Sequence, residues 1–186
     1  MKDPNDLSYI QRVKAGDVRA FSAIVTNYQK MVFTIVLKIV ENREDAEDIT
    51  QEIFVKVFKS LGQFKEESEF STWLYRIAYN TTLSELRKRK LTYVSMNDNL
   101  NAANEPVDDE EAFDWTDVKL RHLDEVLKKL PPDEIFLVTL YYFEDQPMEA
   151  ISKISNLSVA NVKVKLHRIR KKLAIEINRL LEDEYK

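Results

Sequence analysis

Apolar residues recur along most of this chain every three or four positions, the spacing that lays one face of a helix against a core. Phe21, Ile24, Tyr28, Met31, Ile35 and Ile39 form one such stripe, with Asp17 placed to cap its start. Gly16 reads as the stop of a short first helix over Leu7–Lys14. Past Asn42 a helix is predicted from Asp45 to Ser60, burying Ala46, Ile49, Ile53 and Val57 and ending at Gly62. After a polar loop, helical spacing resumes from Ser71 to Lys90. It then stops: Asn97 to Asp117 holds eight acidic residues, no basic ones, and no repeat at 3.6 or at 2. Helical spacing returns with Val118, Leu120, Leu123 and Val126, and Leu130-Pro131-Pro132 punctuates it. Further helices are predicted at Asp133–Phe143, Met148–Ser155 and Val159–Leu181. No alternating strand pattern appears. The expectation is an all-α chain: a helical domain over residues 1–95, an acidic linker over 96–115, and a second helical domain over 116–186.

Composition narrows the chemistry. The 186 residues include no cysteine, which excludes disulfides, thiolate metal sites and thiol catalysis. The start, MKDPNDLSYIQ, lacks the apolar core of a secretory signal. The most apolar run, MVFTIVLKIV, is broken by Lys38 and reads as too short to span a bilayer, so a soluble, non-membrane protein is expected. No glycine-rich phosphate loop is present, and both histidines sit among charges (Arg121-His122 and His167-Arg168), so no catalytic set, cofactor or metal is expected.

Charge is segregated. The formal net charge is −4, yet SVANVKVKLHRIRKKL, Ser158 to Leu173, carries six Lys or Arg and no acid. Val159, Val162, Leu166, Ile169 and Leu173 form its core-facing seam, and Asn161, Lys165, Arg168 and Lys172 lie a quarter-turn away. A basic amphipathic helix alone is as often a solvated face as a binding one. The preceding EAISKISNLS changes the balance. Ile151 and Ile154 pack inward, Asn156 tolerates the left-handed backbone of a tight turn, Leu157 plugs the corner, and Ser158 caps the next helix. This is a helix-turn-helix pattern, whose second helix enters the major groove while Lys and Arg bind phosphates.

Two further clusters are ambiguous. In DAEDITQEIFVKVF, residues 45–58, Asp45, Asp48 and Glu52 share a face. They fit a solvated face with a Glu52–Lys56 pair, a docking surface for a protein, or, less well because no histidine is near, a carboxylate metal site. In FKEESEFSTWLYRIAYNTTLSELRKRK, residues 64–90, Phe64, Phe70, Trp73, Tyr75 and Tyr79 are interleaved with Arg76 and Asn80 before a basic end at Arg87–Lys90. Flat rings, amides and cations are what unpaired bases require. The same spacing of Phe70, Leu74 and Ile77 equally describes a core.

Taken together, DAEDITQEIFVKVF, STWLYRIAYN with its basic run, and LPPDEI…YYFEDQPMEAISKISNLSVANVKVKLHRIRKKL resemble a bacterial RNA polymerase sigma factor, and more narrowly the extracytoplasmic-function (ECF) group of the sigma-70 family. The resemblance covers nearly the whole chain outside the linker. It implies a dissociable, cytoplasmic subunit that gives core polymerase its promoter specificity and is not an enzyme. Asp45, Asp48, Gln51 and Glu52 would dock on the clamp helices of the largest polymerase subunit. Phe64, Phe70, Ser71, Arg76, Asn80, Arg87 and Lys88 would open and read the minus-ten element. Ser158, Asn161, Lys163, Lys165, Arg168, Lys171 and Lys172 would read the duplex minus-thirty-five element or hold its phosphates. It further implies silencing by an anti-sigma factor, often membrane-anchored. The chain departs from the family pattern at Ser152, Asn156 and Asn161, and at Ile135 and Tyr141, where basic residues are common. An autonomous duplex-binding regulator using only the helix-turn-helix is the rival reading, and it leaves residues 64–90 unexplained.

Overall fold

Helix α1 (Asp6–Lys14) is halted at Gly16, whose φ of +100° is a conformation that side-chain-bearing residues rarely adopt. In this computed structural model, which describes residues 5–93, 122, 123 and 125–184, the described residues form helices and connecting turns without a strand. Asp17 does not cap the following helix. Its carboxylate instead accepts from Arg12 Nε at 3.0 Å and Nη2 at 2.6 Å, and that guanidinium holds its carboxyl below the usual range. A 3₁₀ turn over Val18–Ala20 leads into α2 (Phe21–Val40), which ends at Glu41 with φ of 59°.

The run 18–40 makes 23 helical residues, long and apolar enough by length and composition to cross a membrane and longer than MVFTIVLKIV alone suggested. In this fold Ile24, Val32, Ile35 and Val36 of that run are buried in the helical bundle. Helix α3 (Arg43–Ser60) starts on Asn42, whose side-chain oxygen accepts from the Asp45 N–H at 3.0 Å. Its predicted core face, Ala46, Ile49, Ile53 and Val57, is buried. A 3₁₀ turn (Leu61–Gln63) and a loop pinned by Lys14 Nζ on the Phe64 carbonyl (2.8 Å) precede α4 (Phe70–Tyr93).

The acidic linker expected at 96–115 lies outside the described residues. Residues 122, 123 and 125–127 are helical, and α5 (Pro132–Val138) begins with proline at a first-turn position, where the missing N–H costs nothing. The single helix expected over Asp133–Phe143 widens halfway into a π-type turn over Thr139–Phe143, closed by the Glu144 N–H on the Thr139 carbonyl (3.1 Å). Helices α6 (Met148–Ser155) and α7 (Val159–Glu184) complete the chain.

The two helical units do not merely hang from a tether. Helix α4 packs on α3 on one side and on α6 on another, while α5 packs against both α2 and α4. One continuous set of buried side chains runs from Ile10 to Ile177. Tyr79 of α4 meets Phe136 of α5 edge-on at 4.9 Å between centroids. Tyr75 of α4 is fully buried, its hydroxyl 2.9 Å from Glu144 Oε2 and 2.6 Å from Met31 Sδ; burial, with the Glu144 carboxylate next, keeps this phenol protonated far above its usual range.

Candidate nucleic-acid interface

The turn between α6 and α7 is built as the residues dictate. Asn156 takes the left-handed conformation, with φ of 58° and ψ of 31°. The Ser158 hydroxyl accepts from the Asn161 N–H at 3.1 Å, capping α7. A bond that sequence reasoning missed closes the corner: Ser152 Oγ donates to the Leu157 carbonyl at 2.6 Å. Ser152 thus ties α6 to the turn, a signal that was present as a short polar side chain on the core-facing side of the pattern. Val162, Leu166, Ile169, Leu173 and Ile177 are buried and fix the rotation of α7.

That rotation leaves Ser158, Asn161, Lys163, Lys171 and Lys172 exposed and Lys165 and Arg168 half-buried. The cations are not equally free. Lys165 Nζ lies 2.6 Å from Asp133 Oδ2, and Lys172 Nζ 2.8 Å from Glu134 Oε1, so two acids of α5 sit among the basic residues of α7.

On α4 and the loop before it the candidate residues divide into a buried and an exposed set. Phe64, Phe70 and Ser71 are buried. Phe70 meets Tyr28 at 5.6 Å and Phe64 at 5.7 Å, and Phe64 meets Trp73 at 5.2 Å. Phe64 and Phe70, expected to offer faces to bases, have their rings in an aromatic core in this structure, and Ser71 lies at 3% exposure. Tyr75 is likewise a core residue. The exposed set is Arg76, Asn80, Arg87 and Lys88. Arg76 lines a cleft of about 710 Å³ with Phe64, Lys65, Thr72 and Trp73. One turn on, Asn80 lines a separate hollow of about 550 Å³ with Lys56, Lys59 and Gln63. Lys88 pairs with Glu85 at 2.5 Å, and that hydrogen bond raises the ammonium pKa above its usual value.

On α3, Asp48 and Gln51 are exposed, and Asp45 and Glu52 half-buried. Glu52 pairs with Lys56 at 2.6 Å, as its i,i+4 spacing predicts. Val55 and Phe58, 50% and 39% exposed, stand on the same helix and were not singled out from sequence. An apolar patch beside acids is what a protein partner covers. Among the described residues no group of three or more His, Asp or Glu is placed to hold a metal. The geometry supports one exposed basic-amide set on α4, a second on a helix-turn-helix, and an acidic-apolar face on α3.

Two family models match this division. Sigma-70 region 2 matches residues 24–92, and Sigma-70, region 4 matches residues 120–173. The chain is 31% identical over 179 residues to the ECF RNA polymerase sigma factor SigW of Bacillus subtilis, covering 92% of this chain and 96% of that one. It is 29% identical to the RNA polymerase sigma-H factor of Pseudomonas aeruginosa, with 96% of each chain covered. Among solved structures, the fold is similar to CnrH in complex with the cytosolic domain of CnrY, with a TM-score of 0.68 at 19% identity over 94% of this chain and 97% of that one. It is also similar to the sigma factor RpoE in complex with the anti-sigma factor NepR from Bartonella quintana, with a TM-score of 0.64 at 20% identity over 87% and 98%. Both regions stand in family order, and a relative at 31% identity spans nearly the whole chain, so the protein belongs to the ECF group of the sigma-70 family, transcription initiation factors that direct RNA polymerase to promoters and are not enzymes.

Proposed function

We propose that this sigma factor divides promoter recognition between residues 1–95 and 116–186, with 96–115 as the linker. The acidic-apolar face of α3, with Asp45, Asp48, Gln51 and Glu52, docks on the clamp helices of the largest polymerase subunit. Arg76, Asn80, Arg87 and Lys88 engage the melted minus-ten strand, and Phe64, Phe70 and Ser71 hold the shape of the loop that leads to it. Ser158 and Asn161, at the start of α7, with Lys165 and Arg168, face base edges of the minus-thirty-five duplex. Lys163 and Lys171 serve its phosphates, while Lys172 is held by Glu134. The factor acts in the cytoplasm, and an anti-sigma protein covers these surfaces when it is silent; RpoE, a similar fold, is found in complex with the anti-sigma factor NepR.

The observation that carries this reading is the presence of two different readers on one chain. Helix α7 is a groove-sized helix with a capped, exposed N-terminus, suited to duplex. Helix α4 instead places an exposed amide, Asn80, beside Lys56 and Lys59 in an open hollow of about 550 Å³, room enough for an unpaired nucleotide. Neither affinity needs to be large, because docking on polymerase raises the effective concentration of both. Run-off transcription from genomic DNA with core enzyme and the full chain tests it. Mapped start sites sharing two upstream elements are expected; no stimulation on any promoter would refute it.

A further inference from the structure

Helix α7 carries two apolar residues that no core explains. Val164 is two positions from each of Val162 and Leu166, so it stands about 160° round the helix from both of those buried side chains. It is half-buried, yet it lies outside the described set of partly buried apolar side chains packed on the core, a set that includes Leu157 in the turn. Ala160, one turn earlier on the same face, is exposed. A β-branched residue is a poorer helix former than the Lys and Arg around it, so neither packing nor helix stability accounts for Val164.

The cations flanking this face are turned elsewhere. On one side Lys165 lies 2.6 Å from Asp133 and Lys172 2.8 Å from Glu134, both acids of α5. On the other, Arg170 is turned to the Tyr142 hydroxyl. Between them, the first two turns after the Ser158 cap present Ala160, Asn161 and Val164, in the part of a helix-turn-helix that reaches base edges. In the major groove only thymine shows a methyl group, and neither an ammonium nor an amide recognises it. An isopropyl group does. We propose that Val164, with Ala160 beside it, reads the 5-methyl group of a thymine in the minus-thirty-five element. The inference rests on the proposal that α7 lies in the major groove of that element, and it adds an apolar reader to the polar ones. Asn161 stands three residues from Val164, with Cβ atoms about 5–6 Å apart, so its amide falls on a neighbouring base pair, where adenine offers the matching donor and acceptor.

Deoxyuracil differs from thymine only by that methyl and is the probe. In the upstream element of a promoter mapped by run-off transcription, each thymine of either strand is replaced singly by deoxyuracil. Binding is then measured with polymerase carrying the full-length factor. One position is expected to lose about fourfold in affinity, the worth of one buried methyl. Val164→Ala is expected to bind the thymine form more weakly and to distinguish it from the uracil form by less than about twofold. Because Val164 lies off the core, this variant should unfold in urea at no lower concentration than the wild type. If no uracil weakens the wild type, if Val164→Ala keeps the wild-type preference for the methyl, or if the element holds no A·T pair, the inference is overturned while the promoter-reading proposal stands. If the wild-type factor stimulates no promoter, that proposal fails and this inference with it.

Discussion

Glu134→Gln should make promoter binding tighter and more sensitive to salt. Lys172 Nζ lies 2.8 and 3.0 Å from the two carboxylate oxygens of Glu134, and the Glu134 side chain is only 15% exposed, so it cannot readily turn away. A lysine held in this way has already exchanged its counterion for a protein carboxylate and releases none on meeting a phosphate. Each phosphate contact contributes about 0.9 to the slope of log affinity against log salt, so freeing one lysine weakens the variant about 3.5-fold more than the wild type when salt rises fourfold. The assay is filter retention of a promoter fragment by polymerase carrying either form of the factor, between about 50 and 200 mM KCl. Lys172→Gln is the control. It should leave the wild-type slope unchanged and lower that of the Glu134→Gln background by about 0.9. An exposed ion pair is worth at most about 1 kcal/mol, so a phosphate could in principle take the lysine from its carboxylate. A full-unit drop in slope for Lys172→Gln alone would show that it does, and would refute the reasoning.

Other outcomes follow from single contacts. Ser158→Ala removes the cap on α7 together with one group proposed to face base edges, and should cost about 1 kcal/mol of stability in urea unfolding and lower transcription from the promoter as well. Asp48→Arg should weaken association with core polymerase about tenfold in co-purification, by putting a cation on an exposed acidic edge of α3. Asn80→Ala should lower open-complex formation, read by permanganate reactivity of unpaired thymines, roughly five- to tenfold for one lost amide contact, while core binding stays as in the wild type. Equal losses in opening and in core binding would count against the role given to Asn80.

The parts of this fold that were legible in the sequence are those governed by local periodicity. The core stripe of α3, that of α7 from Val162 onward (Val159 is only half-buried), and the helix-turn-helix corner at Asn156 and Ser158 are buried or capped as their spacing predicts. The π-type turn after Val138 was not legible, because nothing in TLYYF departs from helical spacing; the chain there widens between helices that pack on it from elsewhere. Asp17 was misread for a related reason: Arg12 lies five residues back and reaches it only once Gly16 reverses the chain. The aromatic residues of α4 were the hardest case. A surface helix buries one stripe, but α4 is covered from two sides, by α2 and α3 and again by α5 and α6, so Tyr75 and Tyr79 had no local signal separating them from rings offered to a ligand.

That double coverage bears on how a single aromatic-rich helix can be both core and reader. Burying Phe64 and Phe70 against Trp73 and Tyr28 fixes the loop over residues 64–69 from beneath, and Lys14 pins its backbone from the side. The side chains left to meet DNA on this surface are then short or cationic ones standing on a rigid floor. Such a floor lowers the ordering cost of capturing an unpaired base, which already demands a few kcal/mol of unstacking. The opposite flank of α4 has a different character. There Tyr75 and Tyr79 meet Glu144 and Phe136 through one hydroxyl and one ring edge. The helix is thus core on the side of α2 and α3 and core again on the side of α5 and α6, and the residues proposed to read DNA lie along the border between the two.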